Sequence, residues 1–169
     1  MFKKILIPLD GSALSEKALP AALEVSNKFG AELILLRVVE RPQAYLHADG
    51  WVDLELINSI EEQAKKAVAR YLQEKEAELA IQGQIVTSMM WERQFPADAI
   101  IEAAEELDVE LIVMSTHGHG GLTRWVFGSV ADKVLRKAHV PVLLIRATED
   151  LEDLELPALA DELDLREPA

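Results

Sequence analysis

The sequence predicts an α/β fold, in which a five-stranded parallel sheet carries helices on both faces. Five short runs rich in apolar and β-branched residues alternate with segments of helical periodicity, in the order β-α-β-α-β-α-β-α-β. Strands separated by helices pair in parallel through right-handed crossovers, which predicts a doubly wound three-layer α/β/α sandwich. The chain has 169 residues, of which 50 % are hydrophobic, and this is enough apolar material for one domain core.

The first unit is a strand followed by a helix. Residues 4–9 (KILIPL) form a short β-rich run, and Asp10-Gly11-Ser12 gives a turn and a helix-capping signal directly after it. The helix is predicted from Ser12 or Ser15 to Phe29, because apolar residues recur there at helical spacing, and Gly30 ends it. Pro20 lies inside this pattern, so we expect a bend or a broken turn.

The second unit is a buried strand followed by a long helix. Glu32–Val39 (ELILLRVV) is nearly continuous in apolar residues, which is typical of a strand covered on both faces of a sheet. Residues 40–52 show no clear period and are predicted to form a loop. An amphipathic helix is predicted at about 53–80, and Gly83 ends it.

Three strands and two helices are predicted in the remainder of the domain. Pro96 suits the first turn of a helix, and Pro141 cannot donate to a ladder, which predicts that the last strand lies at a sheet edge or at an interface. In chain order, the predicted elements are a strand at 84–91, a helix from Pro96 to about Leu107, a strand at 109–114, a helix at 128–138 and a strand at 140–145.

A loop with four glycines joins the fourth strand to the last helix. Backbone N–H groups at such a loop and at a helix start bind anions. Gly118 and Gly128 lie ten residues apart, and Ser129 follows at a predicted capping position, so the loop is long enough to arch over a polyphosphate. Neither the Walker sequence nor the dinucleotide fingerprint is present, so backbone amides are expected to hold the phosphates. The alternative is a flexible connection without a ligand.

Ligands on a doubly wound sheet bind outside the carboxyl ends of the strands, where the strand order reverses. This rule brings together Asp10 after the first strand, Val38 and Val39 at the end of the second, and the glycine loop after the fourth. Asp10 has an alternative interpretation, because aspartate often caps the helix that follows a strand.

Gly118 and the pair Gly128-Ser129 are separated by the nine residues 119–127. This arrangement resembles the motif of the ATP-binding branch of the universal stress protein family, which is G-x-x-G, nine residues, then G followed by Ser or Thr. Ser115 occupies the position of the first glycine. The resemblance covers nearly all of residues 1–146, including KKILIPLDGS at the start, ELILLRVV in the second strand and HVPVLLIR at the end.

The resemblance implies a fold, a ligand and an assembly. The implied fold is the adenine nucleotide alpha hydrolase-like fold, and the implied ligand is ATP with a Mg²⁺ ion held by its phosphates. Asp10 would contact adenine or ribose, and the Val38 backbone would recognise adenine. A homodimer through paired fifth strands is also implied. The implied nucleotide-binding residues are Pro8, Leu9, Asp10, Val38, Met114, Ser115, His117, Gly118, Gly128, Ser129 and Val130.

Composition and charge exclude several other classes. There are no cysteines, so neither a disulfide framework nor a thiolate metal site is expected. The net charge is −13, of which −8 falls on residues 147–169, a predicted acidic tail after a domain at 1–146. Duplex nucleic acid is therefore not expected as a partner. The N-terminus is too short in apolar residues for a signal peptide and no run approaches a membrane span, so we expect a cytoplasmic protein without a membrane partner.

The sequence favours a regulatory nucleotide-binding protein over a dedicated enzyme. His117 and His119 lack a nearby carboxylate for a metal site, and Ser12, Ser115 and Ser129 have no evident histidine–carboxylate pair. The predicted function is that of a dimeric, ATP-binding stress-response protein with an unidentified regulatory partner, in which slow ATP hydrolysis or autophosphorylation stays open. The alternatives are a dimeric scaffold that binds no nucleotide, which Ser115 favours, and an enzyme acting on an adenylated substrate.

Overall fold

The computed structural model describes residues 2–40, 54–118 and 128–148, except for the side chains of residues 54–56, 117, 118, 147 and 148. The glycine loop at 119–127, most of the predicted loop at 40–52 and the tail from residue 149 lie outside these ranges. The elements are β1 (Lys4–Pro8), α1 (Ala13–Glu16), α2 (Leu19–Phe29), β2 (Glu32–Val39), α3 (Leu54–Ile81), β3 (Val86–Glu92), α4 (Pro96–Glu106), β4 (Leu111–Gly118), α5 (Ser129–Lys137) and β5 (Val142–Thr148).

The five strands form one sheet in the order β3-β2-β1-β4-β5, and all neighbouring strands are parallel. β1 lies at the centre, where Leu6 pairs with Ile34 on one side and Ile112 on the other. The chain first moves outward from β1 through β2 to β3 and then returns to β4 and β5. The strand order therefore reverses between β1 and β4, and the predicted α/β fold is confirmed.

Side chains along β1 alternate between two apolar cores. Ile5 and Ile7 pack with residues of α2 and α3, whereas Leu6 packs with residues of α4 and α5. All three side chains are fully buried. Because successive residues of a strand point to opposite faces, a strand with a core on each side must be apolar almost throughout.

Pro20 and Gly30 act on the first helical segment as predicted. α1 ends at Glu16 and α2 starts at Leu19, with Pro20 in the first turn of α2, where a missing N–H breaks no helical hydrogen bond. Gly30 ends α2 in the left-handed conformation with φ of 66°. The predicted break and the predicted stop are both confirmed.

β4 extends further than predicted. It continues to Gly118 instead of ending at Met114, and it pairs with β5 up to the Gly118–Thr148 position. Ser115 to Gly118, which the sequence assigned to the loop, are therefore strand residues. Pairing with a neighbouring strand overrides the low strand propensity of glycine, and no local pattern signals it.

β5 is shifted relative to its prediction. It spans Val142–Thr148 instead of 140–145, so the strand passes the predicted domain boundary at residue 146. β5 lies at a sheet edge, as predicted. Pro141 precedes the strand, and its carbonyl accepts a hydrogen bond from the Ile112 N–H at 3.0 Å.

Candidate functional site

A cavity of about 650 Å³ lies at the carboxyl edge of the sheet, where the strand order reverses. The ends of β1, β2 and β4 form its floor, and residues of α1, α3, α4 and α5 form its walls. The predicted site residues that line it are Pro8, Leu9, Asp10, Val38, Met114, Ser115, Gly128, Ser129 and Val130. Parts of the chain that are distant in sequence thus meet at one cavity.

His117 and Gly118 complete the predicted set and lie at the end of β4. They pair with Ala147 and Thr148 of β5, which places both residues near the carboxyl edge of the sheet. Their side chains belong to the part of the chain that is not described. Contacts of these residues with a ligand stay predictions.

Asp10 orders the turn between β1 and α1. Its Oδ1 atom accepts hydrogen bonds from the Ser12 N–H at 2.9 Å and the Ser12 hydroxyl at 2.5 Å. Ser12 is the N-cap of α1, since its Oγ atom accepts from the Ser15 N–H at 3.1 Å. Asp10 therefore does not cap the helix, and it lines the cavity.

The surroundings of Asp10 favour its charged form. Partial burial opposes ionisation, but hydrogen bonds from Ser12 and Ser15 and the positive charge of Arg37 outweigh it. The pKa of Asp10 consequently lies below its ordinary value of 3.8. At neutral pH the cavity holds a fixed negative charge and a hydrogen-bond acceptor at the end of β1.

The start of α5 supplies hydrogen-bond donors on the opposite side of β1. Gly128 is the N-cap, with φ of 76° and ψ of 149°, and no side chain caps the helix. Ser129 is the first helical residue and not the cap that the sequence predicted. The first N–H groups of a helix have no intrahelical partner, and here Ser129 and Val130 line the cavity. The helix start is therefore suited to an anion.

Ser115 lies in a regular part of β4. It pairs with Ile145 of β5, and among the described residues other than glycine only Asp108 has a positive φ. The backbone at position 115 thus makes no demand that only glycine meets. Serine at the first glycine position of the motif introduces no backbone strain, and its side chain adds a hydroxyl to the cavity lining.

Several residues that line the cavity were not predicted from the sequence. Ala64 and Val68 come from α3, and Ile100 comes from α4. These are apolar helix residues whose spacing matches core positions, so no motif distinguishes them. Arg37 on β2 was also missed, although an arginine inside a nearly continuous apolar strand is a signal that could have indicated it.

Protein ligands for a metal ion are not clustered in the ranges that the structure describes. No group of three or more His, Asp or Glu side chains there is arranged to hold one. Within the same ranges, no helix is long and apolar enough to cross a membrane. A divalent ion at this cavity would depend on a ligand for its oxygens, as Mg²⁺ commonly does with nucleotide phosphates.

Residues 1–146 match the family model described as the universal stress protein family. The chain belongs to the universal stress protein family. Two relatives agree with this assignment. Universal stress protein MJ0531 of Methanocaldococcus jannaschii is 37 % identical over 149 residues, which cover 86 % of this chain and 83 % of the relative. Universal stress protein YxiE of Bacillus subtilis is 34 % identical over 152 residues, which cover 86 % of this chain and 100 % of the relative.

Solved structures of the universal stress protein family share the fold. The structure of MJ0577 of Methanocaldococcus jannaschii matches with a TM-score of 0.65 at 30 % identity, covering 88 % of this chain and 99 % of that one. A universal stress protein in complex with cAMP matches with a TM-score of 0.60 at 21 % identity, covering 87 % and 98 %. One from Archaeoglobus fulgidus in complex with dAMP matches with a TM-score of 0.53 at 22 % identity, covering 86 % and 98 %. The last two identities support a common fold only.

Proposed function

We propose that this chain binds ATP in the cavity at the carboxyl edge of the sheet and acts as a nucleotide-dependent regulatory protein of the stress response. The observation that carries the proposal is that one cavity has two chemically different ends, one suited to a base and one suited to phosphates. One end offers the Asp10 carboxylate and the end of β2, and the other offers the uncapped start of α5. Two solved proteins that share this fold are complexes with cAMP and with dAMP.

The base is proposed to bind at the ends of β1 and β2. Adenine presents an exocyclic amino group, and the acceptors suited to it are the ionised Asp10 carboxylate and the main chain at Val38. The lining of the cavity is mostly apolar, with Leu14, Val68 and Ile100 among its residues, which suits the faces of a flat ring. A small number of polar groups on an otherwise apolar wall orients the base as well as binding it.

The phosphates are proposed to bind at the start of α5. The N–H groups of Ser129 and Val130 would donate to phosphate oxygens, and the positive end of the helix dipole favours the negative charge. Acidic lining residues, Asp10 and Glu40, lie on the β1 and β2 side of the cavity and not at this end. Mg²⁺ would be held by the phosphates and water, and when bound it neutralises part of their charge.

We further propose a homodimer through β5. β5 is a sheet edge, and the hydrogen bond from the Ile112 N–H to the Pro141 carbonyl sets which of its residues face β4. The direction of the backbone N–H groups alternates along a parallel strand. The N–H of Leu143 therefore points to β4, while the N–H groups of Val142 and Leu144 point away from the sheet. A second copy can pair with these groups across a two-fold axis. We also propose a cytoplasmic location and a protein partner that responds to nucleotide occupancy.

A thermal-shift titration tests the nucleotide proposal. With ATP and Mg²⁺ at 100 times the Kd, the folded state gains about 2.7 kcal/mol, which for a chain of this size raises Tm by about 5 to 10 °C. GTP serves as the matched control, because it offers the same phosphates with a different base. Absence of any shift with ATP, ADP or AMP would refute nucleotide binding, and equal shifts with GTP would refute the assigned base end.

A further inference from the structure

Arg37 is a half-buried cation whose side chain faces α3. On the same strand, Leu36 and Val38 pack into the core beneath α4 and α5, whereas Leu35 packs into the core beneath α2 and α3. Since side chains alternate along a strand, Arg37 points to the side of Leu35. Its charge acts there on Tyr71 of α3, which agrees with this orientation.

Among the described residues that line the cavity, Arg37 is the only basic one, which would suggest a phosphate ligand. However, Arg37 lies far from the proposed phosphate end. β2 is two strands away from β4 in the sheet, which corresponds to about 10 Å. α5 packs on the opposite face of the sheet from the one that Arg37 enters. The position of this cation therefore does not suit a phosphate ligand.

Arg37 instead contacts the segment that leads into Asp10. Its Nη1 atom donates to the Leu9 carbonyl over 3.4 Å, at the long end of hydrogen-bond distances. The Leu9 N–H donates in turn to the Leu36 carbonyl at 2.8 Å. β2 thus holds both backbone polar groups of Leu9, the residue directly before Asp10.

We propose that Arg37 is a positioning residue for the nucleotide base, which acts by fixing the Leu9–Asp10 segment so that the Asp10 carboxylate stays beside the base. The inference rests on the proposed function and adds a residue that lies outside the glycine motif. Electrostatics work in the same direction, since the Arg37 charge adds to the larger effect of the Ser12 and Ser15 hydrogen bonds in lowering the pKa of Asp10. Near Arg37, burial and the Glu16 carboxylate raise the pKa of Tyr71, so the Tyr71 side chain stays neutral. The Glu16 carboxylate is itself paired with Lys75 at 3.0 Å.

The test is a double-mutant cycle measured by calorimetric titration of adenosine and of ATP with Mg²⁺. Arg37→Met keeps much of the apolar stem and removes the charge and the donor, and Asp10→Asn removes the carboxylate that Arg37 is proposed to position. Arg37→Met should weaken adenosine and ATP by the same factor, about tenfold, the size expected for a hydrogen bond involving a charged group. In the Asp10→Asn protein, Arg37→Met should have no further effect. Arg70→Met, at an exposed arginine of α3 outside the cavity lining, is the control and should change neither affinity.

Several outcomes overturn the inference. If Arg37→Met weakens ATP but not adenosine, Arg37 contacts phosphate directly. If the effects of Arg37→Met and Asp10→Asn on adenosine affinity add, Arg37 does not act through Asp10. If circular dichroism shows that Arg37→Met is unfolded, Arg37→Lys carries the same cycle, with a smaller but equal loss for both ligands expected. If the unmodified protein binds neither ligand, the proposed function fails and the inference fails with it.

Discussion

Replacing Gly128 with alanine tests the phosphate end of the cavity. Gly128 precedes α5 with φ of 76° and ψ of 149°, a region of backbone space that is essentially restricted to glycine. Holding alanine in this conformation costs about 1–3 kcal/mol. If the backbone relaxes to avoid that cost, the first N–H groups of α5 turn away from the cavity. The same free energy is then lost from phosphate binding and corresponds to about a 5- to 150-fold increase in the Kd for ATP.

The assay combines urea denaturation with calorimetric titration of adenosine and of ATP with Mg²⁺. Gly128→Ala should lower stability, or weaken ATP much more than adenosine, because adenosine has no phosphate to lose contact with α5. Gly30→Ala is the matched control: Gly30 also has a positive φ, of 66°, and open space around an added Cβ, but it ends α2 away from the cavity. It should lose about 1–2 kcal/mol of stability and bind ATP normally. Wild-type stability and affinity in Gly128→Ala would refute the reasoning, as would equal losses for adenosine and ATP.

Three further predictions address the dimer, the charge of Asp10 and the other motif glycine. Leu144→Pro removes an N–H that faces away from β4 and should give a monomer by analytical ultracentrifugation. Leu144→Ala keeps that N–H and should stay dimeric. A dimer in both variants would contradict pairing through β5. Asp10→Asn should be less stable than the wild type at pH 7, because a lowered pKa stabilises the fold above pH 3.8, and the difference should vanish as pH falls through the folded-state pKa of Asp10. A difference in urea midpoints that persists unchanged to pH 2 would contradict this. Gly118→Ala should leave the free energy of unfolding unchanged or raise it by up to about 1 kcal/mol in the same urea assay. The reason is that Gly118 is in β4 and is not among the glycines with positive φ. A loss of stability like that of Gly128→Ala would contradict the described backbone.

The fold was predictable because its signals are local and strong. The nearly continuous apolar run at Glu32–Val39 is typical of a strand covered on both faces, and the structure buries Leu33 to Leu36. Pro20 marked a break because it has no N–H to donate, and Gly30 marked a stop because glycine tolerates a positive φ. The ends of β4 and β5 were not predictable in the same way, since Gly118 belongs to a strand only because Thr148 pairs with it.

The candidate site was partly predictable because topology and motif select different residues. The strand-order rule and the family motif together led to Asp10, Val38 and Gly128, which the structure brings to one cavity. The walls were not predictable, because Ala64 or Ile100 on a helix looks like any other core residue. Arg37 was overlooked for a different reason: its role depends on which face of β2 it occupies, and this follows only from the packing of its neighbours.

The glycines of the motif are required for different physical reasons, and this explains the serine at its first position. Gly128 needs a backbone conformation that side chains exclude, so it can be replaced only at a cost in strain or in binding. Position 115 and Gly118 lie in β4, where any residue fits the backbone, so a glycine there can serve only to leave space beside the ligand. A small residue such as Ser115 nearly meets that requirement. The departure at Ser115 therefore does not favour a scaffold that has lost its nucleotide, whereas a substitution at Gly128 would.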